Sequence, residues 1–354
     1  MKKITALILA ALMLLSAGFA FADTEPGYYD EDTGRIRMTH QRYIRPAEED
    51  FATVKMHFVD EGFSIFFNGV ADSAKDIMLN AILDAMRSGD PTTQIIMPGL
   101  ILDAEKYTYV KGLEYDSLMC WAATAANMLW QAGYPQNTLS PYTGRPFESV
   151  DEVFDYFRHI YTDLDGTPAQ GIDALLDGFN PLDGVDGISQ LEMKIKALFP
   201  FNNVDVDDLV FQAFGKDENG NKLYENIELL QDFNNNTYGI TVHWHDPVTG
   251  ELLNGAHLLT VCGIIVNDEA ESLEDRYVGI LIADSDNSIV HPDEVPTAPW
   301  ERPRAAIASN VIDSATLYHL KLVDIPGQGP TWTIVGYNDN ITTLDFLWKL
   351  PYLQ

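Results

Sequence analysis

Hydrophobic positions recur along the chain with two different periods. Between Thr53 and Phe67 they alternate at Val54, Met56 and Phe58, pause at Gly62, and resume over Phe63–Phe67, which predicts two short strands joined by a turn. A helix capped by Asp72 or Ser73 follows to about Arg87, with Ile77, Ala81, Ile82 and Ala85 on one stripe, and Ser88-Gly89-Asp90-Pro91 ends it. A second helix starts at Cys120 and runs to about Gln131, with Asp116 or Ser117 as its natural N-cap and Gly133 and Pro135 as its stop. Ser149-Val150-Asp151-Glu152 forms a capping box that opens a third helix, whose stripe is Val153, Phe154, Phe157 and Ile160. Residues 170–178 and Ile188 to Leu198 read as two more helices.

Beyond these the period changes to two. Tyr238–Trp244 alternates, Asp246 to Gly250 is a turn, and Ala256–Val266 is a long apolar strand. Arg276–Ala283, ending in Asp284-Ser285-Asp286, and Thr316–Val323 are further strands. Helices early and strands late predict an α+β protein with segregated halves. The chain has no internal repeat and no low-complexity tract.

The ends and the charge narrow the setting. Lys2 and Lys3, the apolar run Ile4 to Leu15, and the small-residue site Ala20-Phe21-Ala22 make residues 1–22 a bacterial-type export signal, with a mature chain starting near Asp23 in a secreted or periplasmic location. No later stretch is long and apolar enough to span a membrane, so no membrane insertion is expected once the signal is removed. Residues 23–50 form a polar, acidic arm. A net charge of −31, from 53 acidic against 22 basic residues, argues against nucleic acid or an anionic membrane as partner. At 46% hydrophobic residues the chain can still bury a large core. No pattern specifies an oligomeric state.

Two cysteines are present, Cys120 and Cys262. Cys120 opens a helix, where the dipole and the unpaired N–H groups stabilise a thiolate. Ala122, Ala123, Ala125 and Ala126 behind it let other elements approach closely. A small buried hydrophobe is the alternative role for Cys120, and a Cys120–Cys262 disulfide is another. A nucleophilic thiolate needs a base, and the base an orienting partner. Of the eight histidines, His257 stands at the start of the strongest apolar strand, just after Asn254 and Gly255. Asp284 and Asp286, on one face at the end of the next strand, reach the same rim if the two strands are antiparallel neighbours, although a loop cap is the ordinary role for Asp-Ser-Asp. Cys262 follows His257 by an odd offset and so faces the opposite side of an unbroken strand. The disulfide and the Cys120–His257 pair therefore compete, and the chain favours a free Cys120. His243 and His245 share a strand face, but no third metal ligand follows at recognisable spacing.

The blocks "LMCWAATAANMLW", "GAHLLTVCG" and "IADSDNS", in that order, resemble the IdeS family of bacterial immunoglobulin-degrading, papain-like cysteine peptidases. Between them "VFDYFRHIY" and "GIDALLDGF" are similar to the helices that follow the family's nucleophile helix, and the resemblance runs from about residue 100 to about residue 325. It implies a papain-like α+β fold, with a helical half carrying the cysteine and a β-rich half carrying His and Asp. It also implies a secreted cysteine endopeptidase with Cys120 as nucleophile, His257 as general base, Asp284 orienting the imidazole and Asp286 as the second aspartate beside it. Lys111, in "YVKGLEYDSLMC", is the match to the family's oxyanion-binding lysine, with its register shifted by about one residue. No glutamine lies between Ile95 and Met119, which fits the lysine variant, whereas Trp121 stands where the family has glycine. No metal and no cofactor are implied. The expected division is an extension over residues 23–95, a peptidase domain over 96–330 and a C-terminal extension over 331–354, with a host or environmental protein, immunoglobulin among the candidates, as substrate. The rival readings are a Cys-His-Asp acyltransferase of transglutaminase or arylamine acetyltransferase type, and a binding protein on the same fold. The acyltransferases place their histidine much nearer the cysteine, whereas the spacing here falls within the roughly 130–150 residues of papain-like peptidases.

Overall fold

A computed structural model describes residues 28–30, 35–37, 55–60, 62–70, 75–88, 95–98, 104, 118–137, 140, 145–161, 165–176, 210–212, 223–286, 314–326 and 328–352. The export signal expected over residues 1–22, the helix expected over Ile188 to Leu198, and Lys111 lie outside them. Within the acidic arm, Tyr28–Asp30 (β1) and Arg35–Arg37 (β2) form an antiparallel hairpin.

Six long strands carry the architecture: β7 (Asn236–His245), β8 (Leu252–Asn267), β9 (Tyr277–Ala283), β10 (Ser314–Ile325), β11 (Gly329–Val335) and β12 (Ile341–Pro351). Each is antiparallel to its neighbours in the order β8-β7-β12-β11-β10-β9, and β9 pairs back onto β8, so the sheet closes into a barrel. Closure leaves these strands no free edges at their paired positions. The remaining strands lengthen the wall. The hairpin of β3 (Lys55–Asp60) and β4 (Phe63–Asn68) joins the far half of β8, while β5 (Ile95–Pro98) joins β10 and β6 (Val210–Gln212) joins β12.

Alternation sorts the strand residues into two cores. Tyr238, Ile240, Val242, Leu259, Val261, Ile280 and Ile282 point inward and pack with Trp332, Leu344 and Leu347. A 3-10 helix, Leu223–Gln231, closes over this core with Ile227 and Leu230, and Tyr224 O accepts a hydrogen bond of 2.8 Å from Trp332 Nε1. The outward residues are apolar too: Leu258, Cys262, Ile265, Leu281 and Leu317 belong to a second core shared with the helices.

Among the described residues four helices of at least 9 residues lie outside the barrel, α1 (Lys75–Ser88), α2 (Cys120–Ala132), α3 (Val150–Tyr161) and α4 (Pro168–Leu176), and a single helical turn, Leu273–Arg276, leads into β9. All 13 residues of α2 are buried, between the barrel on one side and α3 and α4 on the other. Its N-cap is Met119, which gives no side-chain cap; the two polar residues expected to cap it, Asp116 and Ser117, lie outside the described residues. The stop is as the sequence predicts. Gly133 adopts φ +85°, where a Cβ would be strained, and Tyr134 N–H reaches back to Leu129 O at 3.3 Å. At α3, Ser149 Oγ caps Glu152 N–H at 3.1 Å, but the Glu152 carboxylate accepts from Glu148 N–H, one residue before the position a reciprocal box requires.

The expected papain-like α+β fold with a helical half is overturned. The chain forms a closed six-stranded antiparallel barrel, mostly strand, with few and short helices. The strands are not confined to the late part of the chain, since β4 pairs with β8 and β5 with β10, and the helices lie on the barrel's outer wall rather than forming a half of their own. Residues set apart as a C-terminal extension supply most of β11 and all of β12, which occupies the place between β7 and β11.

Candidate active site

The barrel's pleat aims His257. It pairs with Val242 on β7 and shares parity with the inward-facing Leu259 and Val261, but it sits at the strand's open end, where the barrel interior gives way to a rim. Asp284 directly follows β9 and has the parity of the inward-facing Ile280 and Ile282. The two side chains therefore meet: His257 Nε2–H donates to Asp284 Oδ1 at 2.8 Å, with side-chain exposures of 8% and 16%. Asp286 N–H also donates to Asp284 Oδ1, at 3.0 Å, and Tyr337 O–H donates to Oδ2 at 2.6 Å. The Asp286 carboxylate itself stands 3.8 Å from His257 Nε2.

Helix α2 brings the sulfur to the same ring. Thr124, Asn127 and Gln131 lie on one helical face with Cys120, at the spacings that place residues one above another. Each touches the barrel wall. Thr124 abuts Gly239, where an added Cβ would meet its Cγ2 at 2.6 Å. Asn127 Nδ2 donates to Thr260 Oγ1 at 2.9 Å, and Gln131 Oε1 accepts from Thr237 Oγ1 at 2.7 Å. The face that makes these contacts directs the helix N-terminus to the rim, where the Cys120 thiol is a hydrogen-bond partner of the His257 imidazole. Both cysteines are buried and unlinked, so no disulfide competes.

Burial works against the charged form of His257, but the Asp284 carboxylate, its hydrogen bond and the Cys120 sulfur outweigh it and hold the pKa well above 6.5. Burial likewise works to raise Asp284. The His257 charge, the His257 and Tyr337 hydrogen bonds and the Asp286 N–H override it and lower the pKa to about 2. Each shift has a definite sign in stability. The His257 contribution is complete below its unfolded pKa of 6.5 and is lost as pH rises through the raised folded value, while that of Asp284 is present above 3.8 and is lost as pH falls through about 2. Urea unfolding measured from about pH 5 to about pH 10 is expected to show stability falling on the alkaline side, and His257→Gln is expected to flatten that fall.

A cleft of about 490 Å³ opens over these residues. Its wall on the helical side is Leu118, Cys120 and Asp165-Gly166-Thr167, and on the barrel side Thr241, Trp244, His257, Phe346 and Trp348. Leu118 is half exposed at the entrance. Ligand atoms of His257, Asp284 and Asp286 lie within 4.8 Å of one another, the one group among the described residues with metal-binding geometry. Both Asp284 oxygens and His257 Nε2 are already engaged, however, and a cation there would have to break those bonds. His243 pairs with Asp345, and His245 Nδ1 contacts Gly250 O at 3.2 Å, so the two are drawn to different partners.

Four of the five residues singled out from the sequence, Cys120, His257, Asp284 and Asp286, thus come together, and Lys111 lies outside the described residues. Tyr337 was missed. It sits in the β11–β12 turn, and its sole sequence signal is the Gly336-Tyr337-Asn338 turn pattern. No protein-family profile, curated protein or solved structure matches this chain. Among the described residues no helix is long and apolar enough to cross a membrane.

Proposed function

We propose that this chain is an exported thiol hydrolase that cleaves peptide bonds in proteins. One observation carries the reading: a single buried imidazole lies between a thiol at a helix N-terminus and a carboxylate held by three donors. The helix dipole and the His257 imidazolium both favour a Cys120 thiolate. In the forward step Cys120 Sγ adds to the peptide carbonyl carbon, and the C=O π electrons move to oxygen beside the positive end of α2. The C–N bond then breaks as the His257 imidazolium protonates the leaving amine. Water, giving its proton to the now neutral His257, adds to the thioester carbonyl, and the C–S bond breaks to release the carboxylic acid and restore the Cys120 thiolate and the His257 imidazolium. Asp284 remains ionised throughout and keeps the imidazole in register. The cleft, walled on both sides, suits an extended backbone laid between Leu118 and the Trp244–Trp348 wall.

The test is incubation of the protein with serum proteins, immunoglobulin G among them, followed by fragment analysis. Discrete fragments are expected, their formation stopped by prior iodoacetamide and unchanged by a chelator. Fragments that persist after alkylation count against the thiol, and fragments that vanish with chelator point to a metal on His257, Asp284 and Asp286. Transfer of an added amine onto the acyl group, in excess of hydrolysis, supports an acyltransferase instead.

A further inference from the structure

We infer that Tyr337 is a positioning residue: through Asp284 it sets the protonation of His257, making the β11–β12 turn part of the machinery. The inference rests on the thiol-hydrolase reading, but its geometry is independent of any substrate. A carboxylate joined to an imidazole through one oxygen can still rotate about its last torsion and exchange its partner for water. Here the second oxygen is held as well, by Tyr337 O–H at 2.6 Å, so Oδ1 stays aimed at Nε2. The turn that delivers the hydroxyl is itself fixed. Gly336 adopts φ +77°, and Asn338 Oδ1 accepts from Asn340 N–H at 2.8 Å and from Thr342 Oγ1 at 3.3 Å. Tyr318 backs the Tyr337 ring at 5.5 Å between centroids. Burial and the neighbouring Asp284 charge push the Tyr337 hydroxyl far above its ordinary range, so it remains a donor wherever the protein is folded.

The groups that face this pair from the surrounding elements are Cys120 on α2, Asp284 and Asp286 after β9, and Tyr318 on β10. None of the others donates to Asp284 Oδ2 in place of the Tyr337 hydroxyl. Without it the carboxylate turns toward water, its hold on the imidazolium loosens, and the proton on His257 is lost at lower pH.

The experiment is an NMR titration of the His257 ring nitrogens in wild type, Tyr337→Phe and Tyr318→Phe, each as the full chain. Tyr337→Phe is expected to lower the His257 midpoint by about 0.5 to 1 pH unit. Tyr318→Phe, which removes a neighbouring hydroxyl but not the Asp284 bond, is expected to leave the midpoint in place. An unchanged or raised midpoint in Tyr337→Phe overturns the inference, as does an equal fall in Tyr318→Phe. Iodoacetamide labelling of Cys120 across the same pH range is read separately. Wild-type Cys120 labelling no faster than an ordinary thiol, with the Tyr337→Phe shift intact, refutes the thiol-hydrolase reading and leaves Tyr337 as the group that sets a His–Asp pair. Should Tyr337→Phe fail to fold, Asp284→Asn serves instead: the amide has one acceptor oxygen and cannot accept from both His257 and Tyr337, and the His257 midpoint must fall further than the predicted Tyr337→Phe shift or the chain from Tyr337 to His257 is broken.

Discussion

Cys120→Ala is expected to remove at least about 10³-fold of peptide-hydrolysing activity while leaving the fold intact. The size follows from the role, since Cys120 is the one thiol among the described residues that line the cleft, and the remaining imidazole and helix end retain only binding and polarisation. The fold should survive because Cys120 stands on the first turn of α2 among alanines, and deleting one sulfur from a residue that borders the cleft costs about 1 kcal/mol. Cys120→Ser is expected to lose nearly as much activity, because a serine hydroxyl does not ionise against an imidazole as a thiol does. Fragment yield against time and the urea midpoint, measured on the same preparations, separate the two effects. Activity retained by the alanine variant removes the sulfur from the mechanism; activity lost together with the folded state makes Cys120 a packing residue.

The contrast between site and fold shows what a linear pattern encodes. Strand parity on β8 and β9 is local: a period of two fixes which way His257 and Asp284 point once the strands are recognised. The same parity placed Cys262 on the wall away from His257, and Cys262 does join the outer core, although the register shift between Val261 and Gly263 falls on it. The helix that carries Cys120 is local as well, marked by its Gly133 stop. Barrel closure is a different kind of fact. It depends on β12 reaching back to β7, about a hundred positions away, and on β9 bridging β8 and β10. No period announces such pairings, and here both faces of β8 and β12 are apolar because α2 covers their outer face. An inner and an outer core of similar composition give the same sequence signal, so a run such as that of β8 reads only as buried strand. Tyr337 was hidden for the same reason: its turn connects β11 to β12, and without the barrel that turn has no place near Asp284.

A substitution far from any reacting atom tests whether the barrel wall truly sets the reach of Cys120. Gly239→Ala is expected to destabilise the protein by about 2 kcal/mol and to slow the labelling of Cys120. Glycine in the middle of a strand ordinarily gains from replacement by alanine. Here the new Cβ would lie 2.6 Å from Thr124 Cγ2 and 3.0 Å from Met128 Sδ. Met128 can swing away, but Thr124 is β-branched on a fully buried helix and has few other rotamers open to it. The helix must therefore back off from β7. Because Thr124 lies one turn behind Cys120 on the same face, that retreat draws the sulfur away from His257. Thr124→Ser removes a γ substituent from the contested space, so the double variant should recover much of the stability and labelling rate, with a coupling energy of about 1 kcal/mol. Urea midpoints for the four proteins of the cycle, with Cys120 labelling rates beside them, give the answer. Purely additive effects would mean that Gly239 does not set the position of α2, and that the meeting of sulfur and imidazole is held by the Asn127–Thr260 and Gln131–Thr237 bonds alone.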